Sequence, residues 1–182
     1  MIQSFKRLVT LRVLHLGWVL ASAGLLAMGP VNAAAPAVAT SMAQVQLLDK
    51  AQASQLLKAD RFKRPTLVVL WSTECSYCKR NLQWLQARSA DKSRFDLITV
   101  ATEPMSSAVS KVLAQHKLNG QHWAYGSELP EAVSYALDAD WAGELPRSYW
   151  FDGQGGRQVL SGVLTDATMS SVAKKQDAKV QR

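Results

Sequence analysis

The sequence predicts an α/β domain with a central mixed β-sheet flanked by helices. An uncharged β-prone run, Thr66–Leu70, is typical of a strand buried on both faces of a sheet. Similar runs alternate with amphipathic helical patterns before and after it, which favours parallel strands joined by helices. Near the C-terminus, Gly153-Gln154-Gly155-Gly156 joins two apolar runs and predicts an antiparallel hairpin. Parallel and antiparallel strands together make the predicted sheet mixed.

Residues 1–35 have the pattern of a secretory signal peptide. Three basic residues occur within the first twelve positions, Val13–Met28 is mostly apolar, and Val31-Asn32-Ala33 fits a small-x-small cleavage site. The apolar run is interrupted by polar residues and glycines, and it falls short of the roughly 20 apolar residues that a membrane-spanning helix needs. We therefore expect an exported protein, with an uncleaved N-terminal membrane anchor as the alternative.

The rest of the chain divides into a short lead-in and one domain. Residues 36–43 are rich in Ala, Pro, Thr and Ser, which predicts a flexible lead-in, and residues 44–182 suffice for one domain with its own core. The whole chain carries a net charge of +7, but three of its basic residues and none of its acidic ones lie in the leader. Because the remaining basic residues are scattered, nucleic acid binding is not expected.

The first part of the domain is predicted as a strand, a helix and the buried strand. Val45–Leu48 is predicted as a short first strand, and Asp49 as the N-cap of a helix that carries Ala53 inward. A basic turn closed by Pro65 precedes Thr66–Leu70. The helix after this strand is expected to fade near residue 90.

The next elements continue the alternation. Phe95–Ala101 is predicted as a second buried strand, parallel to the first. Pro104 together with Ser106 or Ser107 is predicted to open the following helix, and Gly120 to end it. The pattern after Gly120 then gives four elements: a strand or loop at His122–Tyr125, a short helix at Pro130–Leu137, and two hairpin strands at Arg147–Asp152 and Arg157–Leu164. Thr165 or Asp166 is predicted to cap a last helix.

Cys75 and Cys78 are the only cysteines, and they lie where the strand Thr66–Leu70 turns into a helix. The partial positive charge and free N–H groups of a helix N-terminus stabilise a thiolate. Cys75 is nearer the helix start and is predicted to attack, while Cys78 is predicted to resolve the mixed disulfide. The pattern therefore favours a redox dithiol.

Two weaker interpretations of the cysteine pair remain. A structural disulfide across two residues closes too short a loop to constrain the unfolded chain much. A zinc site needs four ligands, and outside the leader the chain offers only His116 and His122 as histidines. Covalent haem attachment is excluded because Lys79, not His, follows Cys78. We expect neither a metal nor another cofactor.

Two blocks of the sequence resemble the thioredoxin superfamily, most closely its TlpA/ResA-like branch of periplasmic thiol:disulfide oxidoreductases. The first block is residues 66–78, TLVVLWSTECSYC, with the helix after it. The second is residues 143–153, GELPRSYWFDG, which is similar to the family's cis-proline segment running into a strand. The resemblance implies a thioredoxin-like fold for residues 44–182, oxidoreductase activity and a periplasmic location.

The resemblance also implies roles for residues around the dithiol. Pro146 matches the family's cis-proline, an arrangement that would turn the backbone of Leu145 toward the dithiol so that a substrate chain can pair with it; an ordinary trans proline is the alternative. Trp71 matches a family aromatic near the strand end, where packing in the core is an equal alternative. We expect Trp71, Tyr77, Leu145 and Pro146 to form the substrate-binding surface.

The sequence departs from the family pattern at four positions. Glu74 stands where the branch usually has Trp, and its charge is predicted to tune the thiol by disfavouring the thiolate. Tyr77 replaces the Pro common before the second cysteine. Asn81 stands where close relatives carry a buried Glu, and Val69 where thioredoxin has a buried Asp. The chain therefore lacks both of the family's usual proton carriers.

Three functions are compatible with these residues. The favoured one is a monomeric enzyme that reduces the disulfides of periplasmic proteins and is recharged by a DsbD-like membrane electron donor. A disulfide-donating oxidant or isomerase, DsbA- or DsbC-like, is the second, although the chain lacks room for the large helical insertion of DsbA. The third is a non-catalytic thioredoxin-fold binding module, which only Glu74 and Asn81 favour.

Overall fold

The structure is a computed structural model, which describes residues 44–91 and 94–180. The expected signal peptide and the lead-in before residue 44 lie outside the described residues. In the described part, no helix is both long and apolar enough to cross a membrane.

The described residues form one six-stranded sheet with helices on both faces. The strands are β1 (Val45–Leu48), β2 (Thr66–Trp71), β3 (Asp96–Pro104), β4 (Gln121–Tyr125), β5 (Arg147–Phe151) and β6 (Arg157–Ser161). The helices are α1 (Lys50–Leu56), α2 (Ser76–Gln86), α3 (Ser107–His116), α4 (Pro130–Leu137) and α5 (Asp166–Val180).

The sheet has the strand order β1-β4-β3-β2-β5-β6 and is mixed. β1, β4, β3 and β2 run parallel, whereas β5 pairs antiparallel with both β2 and β6. β2 lies in the middle and all six of its residues are buried. The structure confirms the predicted mixed sheet, the parallel pairing of β2 with β3, and the C-terminal hairpin.

Two cores lie on opposite faces of the sheet because side chains alternate along each strand. Val68 and Leu70 of β2 point into the first core, where α1 and α4 pack, and Leu67, Val69 and Trp71 point into the second. The second core also takes buried side chains from α2, α3 and α5: Cys78, Leu82, Leu85, Val109, Leu113 and Val172. The cysteine-bearing helix therefore packs on one defined face of the sheet.

The ends of α2 and α5 are tied together at the surface of the second core. Arg88, just after α2, donates from Nε to Asp166 Oδ1 at 3.0 Å and from Nη2 to Oδ2 at 2.8 Å. Thr165 Oγ1 accepts from the Thr168 backbone at 3.1 Å, so Thr165 serves the N-terminus of α5. The predicted cap at Asp49 is also confirmed, because its carboxylate accepts from the Gln52 backbone at 2.7 Å.

Two predictions around α3 are wrong. Pro104 ends β3 and does not open the helix. The ladder with β4 shifts register between Ala101 and Pro104, and a proline, which has no backbone N–H, is tolerated at such an irregular strand end. The helix begins after Ser106, which caps it. It ends at His116, with Lys117 in the left-handed conformation at φ 47°. Gly120 instead lies against Leu97, where a Cβ would collide with the Leu97 carbonyl oxygen.

Other element ends also differ from the prediction. β2 runs one residue further, to Trp71, and β3 spans Asp96–Pro104 where Phe95–Ala101 is predicted. α2 ends at Gln86, because the chain tightens there and the backbone N–H groups of Arg88 and Ser89 both bond to the Leu85 carbonyl. β5 ends at Phe151. β6 ends at Ser161, because Gly162, at φ 90°, turns the chain away from the sheet. The segment at His122–Tyr125, open between strand and loop, is strand β4.

Candidate active site

The two cysteines lie at the N-terminus of α2, just beyond the carboxyl end of the central strand β2. Cys75 is the N-cap of the helix, and its Sγ accepts a hydrogen bond from the Cys78 backbone N–H at 3.1 Å. The two side chains form a disulfide in this structure. Cys78 is 0% exposed within the second core, whereas Cys75 is partly exposed. A reagent in solution therefore reaches Cys75 and not Cys78.

The short loop between β2 and Cys75 is held by a carboxylate from the neighbouring strand. Glu103, near the end of β3, accepts from the Thr73 backbone N–H at 2.5 Å and from the Thr73 hydroxyl at 2.9 Å. Ser72 completes the turn by accepting from the Cys75 backbone N–H at 3.3 Å. Glu103 is not among the predicted site residues. Its signal in the sequence is an acidic residue just beyond the strand predicted to lie beside β2.

The segment before β5 lies beside this loop. Leu70 pairs with Arg147 in the sheet register, so the residues that follow β2 lie next to those that precede β5. The Leu145–Pro146 peptide bond is cis. The Pro146 carbonyl accepts from the Gly162 backbone N–H at 2.9 Å, and Leu145 packs against both cores. The structure therefore brings the two blocks singled out in the sequence to one end of the sheet.

Solved structures share this arrangement of elements. A secreted disulfide oxidoreductase of Mycobacterium tuberculosis, homologous to E. coli DsbE, matches with a TM-score of 0.51 and 12% sequence identity, over 71% of this chain and 93% of that chain. A putative thioredoxin from Neisseria meningitidis matches with a TM-score of 0.50 and 16% identity, over 64% of this chain and 77% of that chain. The chain has a thioredoxin-like fold. No family model and no curated protein matches its sequence.

Asn81 fills a structural position in this thioredoxin-like domain. Its side chain is fully buried; Nδ2 donates to the Gly162 carbonyl at 3.2 Å, and Oδ1 accepts from the Leu164 backbone N–H at 2.8 Å. An amide satisfies both partners, whereas a carboxylate could accept from Leu164 but could not donate to Gly162. Asn81 therefore anchors the segment after β6 and cannot exchange a proton near neutral pH. Val69, buried in the same core, carries no ionisable group either.

The remaining predicted site residues occupy different environments. Trp71 is fully buried in the second core, and its indole nitrogen has no hydrogen-bond partner among the described residues. This position agrees with the packing alternative. Tyr77 is 54% exposed, and the Arg80 guanidinium lies 5.1 Å from its ring centroid. Glu74 is exposed next to Cys75. Tyr77 and Glu74 thus face solvent beside the dithiol, whereas Trp71 lies in the same core as Cys78.

The histidines do not assemble a metal centre in the described part of the chain. The ring nitrogens of His122 lie 2.8 Å from the Thr99 hydroxyl and 3.2 Å from the Leu118 carbonyl, and burial lowers the pKa of the imidazole. His116 ends α3, and burial, with the nearby Lys79 charge, lowers its pKa. Residues 44–91 and 94–180 contain no group of three or more His, Cys, Asp and Glu side chains suited to a metal.

Proposed function

We propose that this protein is an exported thiol:disulfide oxidoreductase that reduces disulfides of periplasmic proteins. One observation carries the proposal. The Cys75–Cys78 pair caps the helix that follows the central strand of a thioredoxin-like fold, with one sulfur accessible and the other buried. Leu145 and Pro146, beside the dithiol, supply the backbone against which a substrate chain would lie. The resemblance of both sequence blocks to TlpA/ResA-like proteins supports the same reaction class.

The proposed reaction is a two-step thiol–disulfide exchange. The Cys75 thiolate attacks a substrate disulfide; a Cys75–substrate S–S bond forms, the substrate S–S bond breaks, and the released thiolate is protonated by water. Cys78, once deprotonated, attacks Cys75 Sγ, forms the Cys75–Cys78 disulfide and releases the second substrate thiolate. Two electrons pass from the dithiol to the substrate. A DsbD-like membrane dithiol returns two electrons to the pair.

The charges near Cys75 support the reducing direction. Glu74 precedes Cys75 directly, and the Glu103 carboxylate binds Thr73, two residues before Cys75. Negative charge opposes the helix N-terminus and destabilises a thiolate. A strongly oxidising pair such as that of DsbA depends on a stabilised reduced form. The basic residues Lys79 and Arg80 are exposed and follow Cys78 in the sequence, whereas the acidic residue Glu74 precedes Cys75. We therefore propose a reductant over a disulfide donor.

The reduction potential of Cys75–Cys78 tests the direction of electron flow. We expect a value nearer to that of thioredoxin, about −270 mV, than to that of DsbA, about −120 mV. Equilibration of the purified domain with defined thiol–disulfide buffers measures it. A potential close to that of DsbA would contradict the reducing role and favour the oxidant.

Trapping tests the roles of the two thiols. Cys78→Ser is expected to accumulate a mixed disulfide through Cys75 with a disulfide-containing protein such as insulin, because attack proceeds and resolution does not. Cys75→Ser is the matched control and is expected to form almost none. Equal trapping by the two variants would contradict the assignment. Failure of the unmodified protein to reduce insulin would support the non-catalytic binding module.

A further inference from the structure

We infer that Arg147 is a positioning residue for protein substrates, because its guanidinium fixes the segment Glu144–Pro146 beside the dithiol. The inference rests on the proposed function, in which a substrate chain lies against Leu145. Arg147 directly follows Pro146, and its side chain takes no part in the exchange chemistry itself.

The Arg147 side chain connects four separate parts of the fold. Nη1 lies 2.6 Å from Glu144 Oε1 and donates to the Ser161 hydroxyl of β6 at 3.2 Å. Nε donates to the Tyr149 hydroxyl at 3.4 Å, and Nη2 lies 3.7 Å from Asp138 Oδ2 at the end of α4. The side chains of Arg147 and Asp138 are only 13% and 6% exposed. The Arg147–Asp138 contact is therefore shielded from solvent far more than an ordinary surface ion pair, whereas the Glu144 side chain is 48% exposed.

Further hydrogen bonds make the same segment part of one network. The Trp141 indole N–H donates to the Glu144 carbonyl at 2.8 Å, and the Trp141 backbone N–H donates to the Asp138 carbonyl at 3.0 Å. The Tyr149 hydroxyl donates to Asp138 Oδ2 at 2.7 Å. Burial and the bond to Asp138 raise the pKa of Tyr149, so its hydroxyl keeps its proton. Glu144 is consequently held both at its carbonyl and at its carboxylate.

The location of the network separates positioning from dithiol chemistry. Tyr149, bonded to Arg147, belongs to the first core, whereas Cys78 belongs to the second. Leu145 packs against both cores. Loss of the Arg147 contacts would therefore loosen Glu144 and Leu145. The bond from the Gly162 N–H to the Pro146 carbonyl and the bond from the Cys78 N–H to Cys75 Sγ do not involve Arg147 and would stay in place. A planar guanidinium with five donors suits this set of acceptors, and a lysine ammonium does not reproduce its geometry.

The test compares a protein disulfide with a small one. A chain such as insulin needs the Leu145 backbone, whereas a small aromatic disulfide such as DTNB needs only an accessible Cys75 thiolate. For Arg147→Lys we expect about a tenfold loss of kcat/KM with insulin, mainly as a higher KM, because the binding segment is no longer preorganised. The rate with DTNB is expected to change less than about twofold.

Two variants make this result specific. Arg64→Lys changes another arginine that is paired with a carboxylate, that of Asp96, next to the amino end of β2 and so at the opposite end of this strand from the dithiol; it is expected to leave both rates unchanged. Glu144→Gln removes one charge from the network while keeping an oxygen acceptor, and is expected to weaken insulin reduction in the same direction but less. Equal losses with insulin and DTNB in Arg147→Lys, or no loss with either, would overturn the positioning role.

Hydrogen exchange keeps the inference testable apart from activity. We expect the peptide covering residues 141–147 to exchange faster in Arg147→Lys, while peptides of α2 keep their protection. If the unmodified protein reduces neither insulin nor DTNB, the proposed function fails, and exchange alone then decides whether Arg147 holds the segment. Unchanged exchange over residues 141–147 would overturn the inference.

Discussion

Near the dithiol, the two faces of the sheet differ in the polar side chains that they carry: one face has charged side chains, and the other has an uncharged amide. On the first-core face, Arg147 and Tyr149 of β5 join Asp138 and Glu144 in a network of charged and hydrogen-bonded side chains. On the second-core face, α2 buries one polar side chain besides Cys78, and this side chain, Asn81, is uncharged. Charged side chains thus contact the segment before Pro146 on the first-core face, whereas the buried polar side chain of α2 on the second-core face is a neutral amide.

A neutral side chain is sufficient to hold α2 where it packs on the second core. Asn81 makes two hydrogen bonds to the segment after β6, so the position still has a defined role. In the proposed exchange reaction, the proton of Cys78 therefore does not pass through the side chain at position 81.

Asn81→Ala should give the largest loss of unfolding free energy. The change leaves the Leu164 N–H and the Gly162 carbonyl without their partner and opens a cavity in a fully buried site, which costs about 2–4 kcal/mol of unfolding free energy. Urea unfolding measures it. Gln83→Ala, on the exposed side of the same helix, is the control and should cost about 0.5 kcal/mol or less. Similar values for the two variants would show that the Asn81 bonds contribute little.

Asn81→Asp replaces the buried amide by an acid with nearly the same shape. Burial and the Gly162 carbonyl should raise the pKa of the introduced carboxyl, so the folded state binds a proton that the unfolded state has released. Stability should then fall as the pH rises above the ordinary carboxyl range, by about 1–3 kcal/mol between pH 5 and pH 8. Unfolding curves at the two pH values, compared with the unmodified protein, measure the difference. A loss independent of pH would contradict this explanation.

Glu103 can be tested by separating its charge from its hydrogen bonds. Glu103→Ala removes both bonds to Thr73 and should cost about 1–2 kcal/mol of unfolding free energy. Glu103→Gln keeps an oxygen for the Thr73 N–H and should retain more of this stability. In a Cys78→Ser background, Glu103→Gln should also speed alkylation of Cys75 near neutral pH, because less negative charge opposes the thiolate. An unchanged alkylation rate would mean that Glu103 acts only by holding the loop.

Glu74→Gln should give the smallest effect, because Glu74 is exposed and solvent screens its charge. We expect Cys75 alkylation to rise by a few-fold at most at low ionic strength, and the gain to shrink as salt is added. Stopped-flow alkylation across a salt series measures both. A large increase that persists in high salt would contradict a purely electrostatic role.

Local sequence patterns predicted most of the fold. Apolar runs and helical spacing identified the central strand, its parallel neighbour and the hairpin, since these signals lie within a few residues. The predicted start and end of α3 are wrong, because a proline and a glycine flanking a helical pattern also predict where a helix begins and ends. Pro104 instead ends a strand, and Gly120 is needed where the backbone passes close to Leu97.

The candidate site was predictable only in part, for a physical reason. The cysteine pair and Pro146 lie within short motifs, and the structure brings these motifs to one end of the sheet. The partners of Asn81, in contrast, lie 81 and 83 residues away along the chain. Glu103 binds Thr73 across 30 residues. Contacts at such separations depend on the packed fold, and no periodic pattern in a single sequence reports them.

The attachment of α2 to the C-terminal part of the domain has a practical consequence for protein engineering. Asn81 is bonded to residues 162 and 164, and Arg88 is bonded to Asp166, so the cysteine-bearing helix is held from inside and outside by residues that follow the last strand. A truncation after Ser161 would keep every strand yet remove all of these bonds. A minimal functional fragment should therefore retain α5, and any fusion partner or affinity tag at this end should follow Val180.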